Sequence, residues 1–156
     1  MRPYRLPLVL LLSSLAVAGC GGGEPEGADT PQETLTRLAA FVADDQGEDA
    51  CNLMSPAAQE LFARENEMST CAQAVNLFHG KITDADLYRK MVPSGLKTEG
   101  TQAEISGYCN EGWSLPEGEA PSETPNDLGT LTLSRTEQGW LVHDYRSSRR
   151  YSSCGG

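Results

Sequence analysis

Residues 128–146 read LGTLTLSRTEQGWLVHDYR, and this stretch indicates how the C-terminal half of the chain folds. Residues 128–135 and 140–146 are two runs in which apolar and aromatic residues are interleaved with polar ones. Alternation with a period of two is typical of β-strands, and a short connection that contains glycine is typical of a hairpin. Residues 136–139, TEQG, supply that connection, so the stretch predicts an antiparallel hairpin.

Two more strands are predicted upstream of the hairpin. The hydrophobic period changes from about 3.6 to 2 near residues 87–92, which predict a first strand. Residues 102–109 place Ala103 and Ile105 in alternation with polar residues and predict a second strand. The connection over residues 110–127 holds three prolines and five acidic residues. A loop of this length is either functional or disordered.

The N-terminal half follows the helical period instead. Thr30 is a suitable N-cap, Pro31 suits the first helical position and Glu33 completes a capping box. Further helices are predicted over residues 48–54, from residue 55 onward and over residues 70–80. The positions that face inward at helical spacing are Leu35, Leu38, Ala39, Val42, Ala58, Leu61, Phe62, Cys71, Ala74, Val75 and Phe78.

Helices followed by antiparallel strands predict the fold class. In such an arrangement the helices bury their apolar stripe against one face of the sheet. We therefore expect a single α+β domain over residues 30–156, with N-terminal helices packed on a four-stranded antiparallel sheet.

The first nineteen residues have the composition of a secretory signal. Arg2 and Arg5 give a positive start, residues 6–17 are almost entirely apolar, and small residues follow. The apolar run is shorter than the roughly 20 residues that a membrane-spanning helix needs. Residues 1–19 are therefore predicted to be a signal peptide.

Val17-Ala18-Gly19-Cys20 stands at the end of this signal and resembles the bacterial lipobox. The resemblance implies cleavage before Cys20 and lipid attached to its sulfur, on the extracytoplasmic side of the cell membrane. The alternative is an ordinary signal peptide with a chance cysteine. Stable anchoring requires more than one acyl chain. Residues 20–29 are predicted to be the lipidated cysteine and a flexible tether, because residues 21–29, GGGEPEGAD, contain no large apolar residue.

The charge of the chain excludes one class of partner. It has 12 basic and 22 acidic residues, a formal net charge of −10, and removal of the signal makes the chain more acidic still. Such a chain is repelled by nucleic acid phosphates and by anionic lipid headgroups. Nucleic acid is therefore not an expected partner, and attachment to the membrane would depend on lipid at Cys20.

Four cysteines remain after Cys20, and an even number in an exported chain indicates two disulfides. Of the three possible pairings we favour Cys51–Cys71 and Cys109–Cys154, because each pair then falls within one half of the fold. A zinc site would require clustered cysteine and histidine ligands, and the chain has no CxxC motif. We expect no metal and no other cofactor.

Several short motifs are similar to those of small NTF2-like lipoproteins of high-GC Gram-positive bacteria. They are Asp49-Ala50-Cys51, the LMSPAA stretch at residues 53–58, Cys71-Ala72 and the GWLV stretch at residues 139–142. The resemblance covers roughly residues 30–146. It implies a cone-shaped, cystatin-like curved sheet wrapped by helices, with a cavity between them. Cys109, Cys154 and loop 110–127 have no counterpart in the resemblance.

Candidate site residues come mainly from the strand half. Tyr108, Trp113, Trp140 and Tyr145 combine an aromatic ring with a polar group, which suits the lining of a pocket. Trp140 equally suits the core, whereas Trp113 lies in a polar loop and is predicted to cover a pocket or dock a partner. His143 is predicted to share a strand face with Tyr145, where it would be a general base or a ligand-facing donor.

Three functions are compatible with these features. The one we favour is a non-enzymatic envelope lipoprotein that binds a small apolar ligand or an envelope protein. The second is an NTF2-like isomerase or hydrolase with His143 as its base. The third is an inhibitor or assembly module that binds another protein through loop 110–127.

Overall fold

The computed structural model describes residues 25–109, 112–113 and 128–147. Five helices precede six strands in this part of the chain. The helices are α1 Pro31–Ala43, α2 Gly47–Asn52, α3 Pro56–Glu65, α4 Cys71–His79 and α5 Ala85–Tyr88. The strands are β1 Val92–Pro93, β2 Leu96–Glu99, β3 Gln102–Ile105, β4 Tyr108–Cys109, β5 Thr130–Thr136 and β6 Gly139–Arg146.

The main sheet is antiparallel and has the strand order β2-β3-β5-β6. Its β5–β6 pair is the predicted hairpin, with Thr136 paired to Gly139 at the turn. β1 and β4 pair separately as a two-stranded extension of the β2–β3 hairpin. The prediction of an α+β domain with a four-stranded antiparallel sheet is therefore confirmed.

The predicted strand over residues 87–92 is wrong. Leu87 belongs to α5, because the carboxylate of Asp84 accepts a hydrogen bond from the Leu87 amide at 3.0 Å and caps a short helix. Within 87–92 the structure has only residue 92 in a strand, β1. The fourth strand of the main sheet is β2 instead, and it escaped prediction because all of its residues are exposed and show no alternation.

The predicted strand over residues 102–109 is interrupted at Ser106-Gly107. The two arms of the hairpin approach each other closely there. A Cβ atom added at Gly107 would lie 2.7 Å from the Ser94 hydroxyl, and one added at Gly95 would lie 2.9 Å from the Ser106 hydroxyl. The break therefore separates the small β1–β4 sheet from the main sheet.

Three of the helices, α1, α3 and α4, start as predicted. Hydroxyl oxygens of Thr30, Ser55 and Thr70 accept hydrogen bonds from amides three residues onward, at 3.1 to 3.2 Å. Such caps satisfy amides that have no partner inside the helix. The residues predicted to face inward are buried, except Leu61, which is half-buried. α2 is shorter than the predicted 48–54.

The predicted disulfide between Cys51 and Cys71 is present and joins α2 to the first residue of α4, with the Cα atoms 6.0 Å apart. Closing a loop of this length stabilises a fold by about 3 kcal/mol in the chain-entropy account. Cys154 and the side chain of Cys109 lie outside the described residues, so their pairing stays a prediction.

One exposed ion-pair cluster fastens α5 to α1. The guanidinium of Arg89 donates to the carboxylates of Asp86, at 2.6 Å, and of Asp44. The hydrogen bond that Arg89 donates to Asp44 is the main cause that raises the pKa of Arg89. Exposed pairs of this kind contribute little to stability.

The outer edge of β6 is covered by two segments from the N-terminal half. Ala28 pairs with Trp140 in antiparallel fashion, with bonds of 2.7 and 3.3 Å. Met54 forms a parallel bridge to Val142, whose amide donates to Leu53 at 2.9 Å. The prediction of a flexible tether up to residue 29 is therefore wrong at its end, because the fold already includes residues 26–28. We call residues 26–28 the N-terminal strap.

A substitution at Gly27 in the strap tests how tightly the strap packs against β6. A Cβ atom there would lie 2.7 Å from backbone atoms of Gly139 and Trp140. We therefore expect Gly27→Ala to lower the free energy of unfolding by about 1 to 3 kcal/mol, the usual cost of overpacking. Urea unfolding followed by circular dichroism measures the change.

Gly80→Ala is the matched control for this variant. Gly80 has a helical backbone, φ −60°, and the nearest atom to an added Cβ is 3.4 Å away. Alanine should be neutral or slightly stabilising there. If both variants lost the same free energy of unfolding, the strap would not pack tightly against β6.

Candidate functional site

Trp113 lies in a short segment that docks against the connection between α4 and α5. The carbonyl oxygen of Gly112 accepts hydrogen bonds from the amides of Thr83, at 2.8 Å, and Asp84, at 3.1 Å. Ile82 and Trp113 form an antiparallel bridge. Gly112 has φ +75°, and a Cβ atom there would lie 2.1 Å from the Asp84 carbonyl oxygen, so the position requires glycine.

The Trp113 ring packs on the hydrophobic core. Its centroid is 5.8 Å from that of Phe78 and 6.1 Å from that of Tyr88, and the Tyr88 ring is nearly parallel to it. The ammonium group of Lys81 lies 5.9 Å from the Trp113 ring centroid, within the range of a cation–π interaction. Trp113 is half-buried. Trp113 therefore packs against the core from its loop segment. Its predicted role, to cover a pocket or dock a partner, stays a prediction.

Trp113 is one member of a continuous run of aromatic rings. Tyr145 on β6 meets Phe62 on α3 edge to face at 4.7 Å, and Phe62 stacks on Phe78 of α4 at 5.6 Å. Phe78 then contacts Trp113, which stacks on Tyr88. This aromatic run connects the sheet to α5 through the helical layer. It brings together two of the predicted site residues, Trp113 and Tyr145, but only through intermediate rings.

Two polar atoms beside the aromatic run are buried without a hydrogen-bond partner among the described residues. One is the indole Nε1 of Trp113 and the other is Oδ1 of Asn66. The side-chain nitrogen of Asn66 donates to Phe62 O at 2.8 Å and to the Tyr145 hydroxyl at 3.2 Å. A buried donor without an acceptor is costly, and native proteins rarely retain one without a reason.

Tyr108 and Trp140 have structural roles. The hydroxyl of buried Tyr108 donates to the carbonyl oxygen of Gly129 and fixes the start of β5. Trp140 is buried, and its backbone oxygen accepts from the Thr34 hydroxyl of α1 at 2.9 Å. Trp140 is therefore a core residue, which was one of the two roles that the sequence allowed.

His143 does not share the inward face of Tyr145, contrary to the prediction. Asp144 pairs with Thr132 and Val142 pairs with Leu133, so His143 is the extra residue of a β-bulge. A bulge shifts the alternation of faces by one residue. His143 is consequently exposed, whereas Tyr145 is buried.

His79 is the last residue of α4. Its ring nitrogen Nδ1 lies 3.1 Å from the carbonyl oxygen of Val42, so it joins two helices. Four further residues belong to the site but were not predicted as site residues: Phe62, Asn66, Phe78 and Lys81. The phenylalanines had the helical spacing of ordinary core residues, and a buried asparagine has no sequence signature.

The space between sheet and helices is occupied by buried side chains, among them Ile105, Leu131 and Leu133 from the sheet and Leu38 and Phe62 from the helices. Cavities lined by described residues lie on the surface, and two of them are the following. One of about 490 Å³ lies between the strap and the β5–β6 turn. The other, of about 290 Å³, lies on the outer face of the sheet and is lined by Lys97, Glu99, Gln102, Ala103, Glu104 and Thr132.

Within the described ranges, no helix is long and apolar enough to cross a membrane. The same residues contain no group of three or more histidine, cysteine, aspartate or glutamate side chains arranged to hold a metal ion. Comparison with models of known protein families, with curated proteins and with solved structures finds no match for this chain.

The packing of Trp113 predicts two different outcomes for two substitutions. Trp113→Ala removes the ring between Phe78 and Tyr88 and should cost about 2 kcal/mol of unfolding free energy, less than for a fully buried tryptophan. Trp113→Phe keeps a ring and removes the unpaired N–H, so it should cost less than about 1 kcal/mol. Urea denaturation of both variants measures this order, and an alanine variant as stable as the parent chain contradicts the packing.

Proposed function

We propose that this chain is a lipid-anchored protein of the cell envelope, whose folded domain binds a ligand or partner without catalysing a reaction. Acyl chains on Cys20 would hold it to the extracytoplasmic side of the membrane. The observation that supports the anchoring is the lipobox resemblance at residues 17–20, which stands close to the first described contact of the fold. The amide of Glu26 already donates to Asn52 at 3.0 Å, six residues after the lipobox cysteine.

This short connection defines which end of the domain lies near the lipid. Residues 20–25 span at most about 20 Å when fully extended. The strap that follows them lies beside the β5–β6 turn, where Gly27 donates to Gln138 at 2.9 Å. An anchor at Cys20 would therefore hold the β5–β6 turn close to the membrane.

We also propose that the fold of this domain is NTF2-like. Helices precede a four-stranded antiparallel sheet, α1 and α3 contact β6, and a bulge at His143 bends the last strand. A bulge increases local twist and bends the strand, as a curved sheet requires. The described interior, however, is filled by side chains, so binding inside a central cone is not what these residues support.

Binding near Trp113 is better supported. The indole N–H is buried and has no acceptor among the described residues. The cationic group of Lys81 lies near the same ring. An oxygen acceptor on a ligand or protein partner would satisfy the N–H and would be favoured by the nearby positive charge. A partner that presents a carboxylate or carbonyl oxygen therefore fits this position better than a purely apolar ligand.

An inhibitor or assembly module that binds another protein through loop 110–127 is compatible with this proposal, because Gly112 and Trp113 belong to that loop. Most of that loop lies outside the described residues. The enzyme hypothesis gains no support, since His143 is exposed on a bulge and none of the described residues forms a hydrogen bond that would orient its imidazole.

Lipid attachment can be tested directly. Metabolic labelling with an alkyne analogue of palmitate, in a bacterial host that modifies lipobox cysteines, should label the full chain and place it in the membrane fraction. Cys20→Ser should lose both the label and the membrane association. An unlabelled parent chain in the soluble fraction would mean that residues 1–19 are an ordinary signal peptide.

The binding site is tested by native mass spectrometry of the exported chain from residue 20 onward, purified from envelope extract. We expect a bound species on the parent chain and a clearly reduced bound fraction for Trp113→Phe, since the ring is kept and only the N–H is lost. His143→Ala is the control and should bind like the parent. If both variants retain the species equally, Trp113 is not part of the binding site.

A further inference from the structure

Within the part of the chain that the structure describes, β2 is the open edge of the main sheet. It is the terminal strand in the order β2-β3-β5-β6, and Leu96, Lys97, Thr98 and Glu99 are all exposed. The opposite edge, β6, is covered by the strap and by Met54. Exposed edge strands present unpaired backbone groups and act as templates for another strand.

The register of the hairpin shows which backbone groups face outward. The Ser106 amide donates to Gly95 O at 3.2 Å, so Gly95 and Ser106 form a hydrogen-bonded pair. Such pairs alternate with non-hydrogen-bonded ones along an antiparallel ladder. Lys97 and Glu99 therefore direct their backbone groups to β3, opposite Glu104 and Gln102, whereas Leu96 and Thr98 direct theirs away from it.

The side chains alternate in the same way. Thr98 and Leu96 pair with buried Ala103 and Ile105 and so lie on the inner face of the sheet. Lys97 and Glu99 project from the outer face, one residue on either side of Thr98. The edge thus carries one positive and one negative side chain, placed symmetrically about a residue whose backbone faces solvent.

We propose that β2 pairs antiparallel with β2 of a second copy of this chain, about a two-fold axis at Thr98. The paired strands would make one continuous eight-stranded sheet. In this register Lys97 of each copy lies opposite Glu99 of the other, which forms two ion pairs across the axis. Isologous pairing of this kind is the usual geometry of protein dimers.

The charges select this register over its neighbours. Moving the axis by one residue, to Lys97 or to Glu99, places two like charges directly opposite each other, which is destabilising. The Thr98 register also sets Leu96, which is 37% exposed, opposite Gly100 of the other copy. Gly100 has open space around it, which leaves room for the leucine side chain. The inference is independent of the proposed function.

Disulfide cross-linking tests the position of the axis. The sample is the chain from residue 20 with Cys20→Ser, exported so that the native cysteines are oxidised, and it retains every described residue. In the proposed dimer the two Thr98 Cα atoms lie about 5.5 Å apart, within disulfide range. Two Lys97 Cα atoms are diagonal neighbours, about 7 Å or more apart, and cannot be bridged readily.

We therefore expect Thr98→Cys to form a covalent dimer in oxidised glutathione at least severalfold faster than Lys97→Cys, as measured by intact mass on a time course. Equal rates for the two variants would overturn the register. No covalent dimer from Thr98→Cys, with the monomer folded by circular dichroism, would overturn the pairing itself.

Charge reversal tests the ion pairs by sedimentation equilibrium. Lys97→Glu should weaken the dimer roughly tenfold, because two attractive cross-strand pairs become repulsive. The double variant Lys97→Glu/Glu99→Lys should restore it, and Lys90→Glu, the same charge change on an exposed residue away from β2, should leave it unchanged. A chain that stays monomeric from micromolar to millimolar concentration, or a dimer insensitive to Lys97→Glu, excludes the proposal.

Discussion

The backbone pairing along the outer edge of β6 holds the two halves of this protein together. Trp140 and Val142 exchange hydrogen bonds with Ala28, Leu53 and Ser55, residues that flank the first three helices. These bonds fix the entry point of α1 and the start of α3 against the sheet. The apolar faces of the helices can then pack on the inner side chains of β5 and β6, and the disulfide secures α2 to α4.

Local signals in the sequence were sufficient for much of this fold. Capping residues located the helix starts, because a hydroxyl three residues before a helical amide satisfies that amide in any context. Period-two alternation located β5 and β6. β2 was missed because an exposed edge strand has no buried face to produce alternation. The bulge at His143 was missed because register depends on the partner strand, which no local pattern records.

The candidate site was harder to predict for a related reason. Trp113 was singled out as an aromatic residue in a polar loop, but its environment is set by Phe78 and Tyr88, which are distant in sequence from it. The carbonyl of Gly112 holds the segment against α5 through tertiary hydrogen bonds. The site therefore arises from long-range packing, and only Trp113 and Tyr145 among its residues were predicted from the sequence.

The early start of the fold has a consequence for any encounter between two such molecules. Only residues 20–25 lie between the strap and the proposed lipid, so each domain would be confined to a thin layer above the bilayer. Molecules that share such a layer meet in two dimensions, and their effective concentration greatly exceeds their average over the cell volume. Contacts too weak to persist in dilute solution can then be populated at the membrane surface.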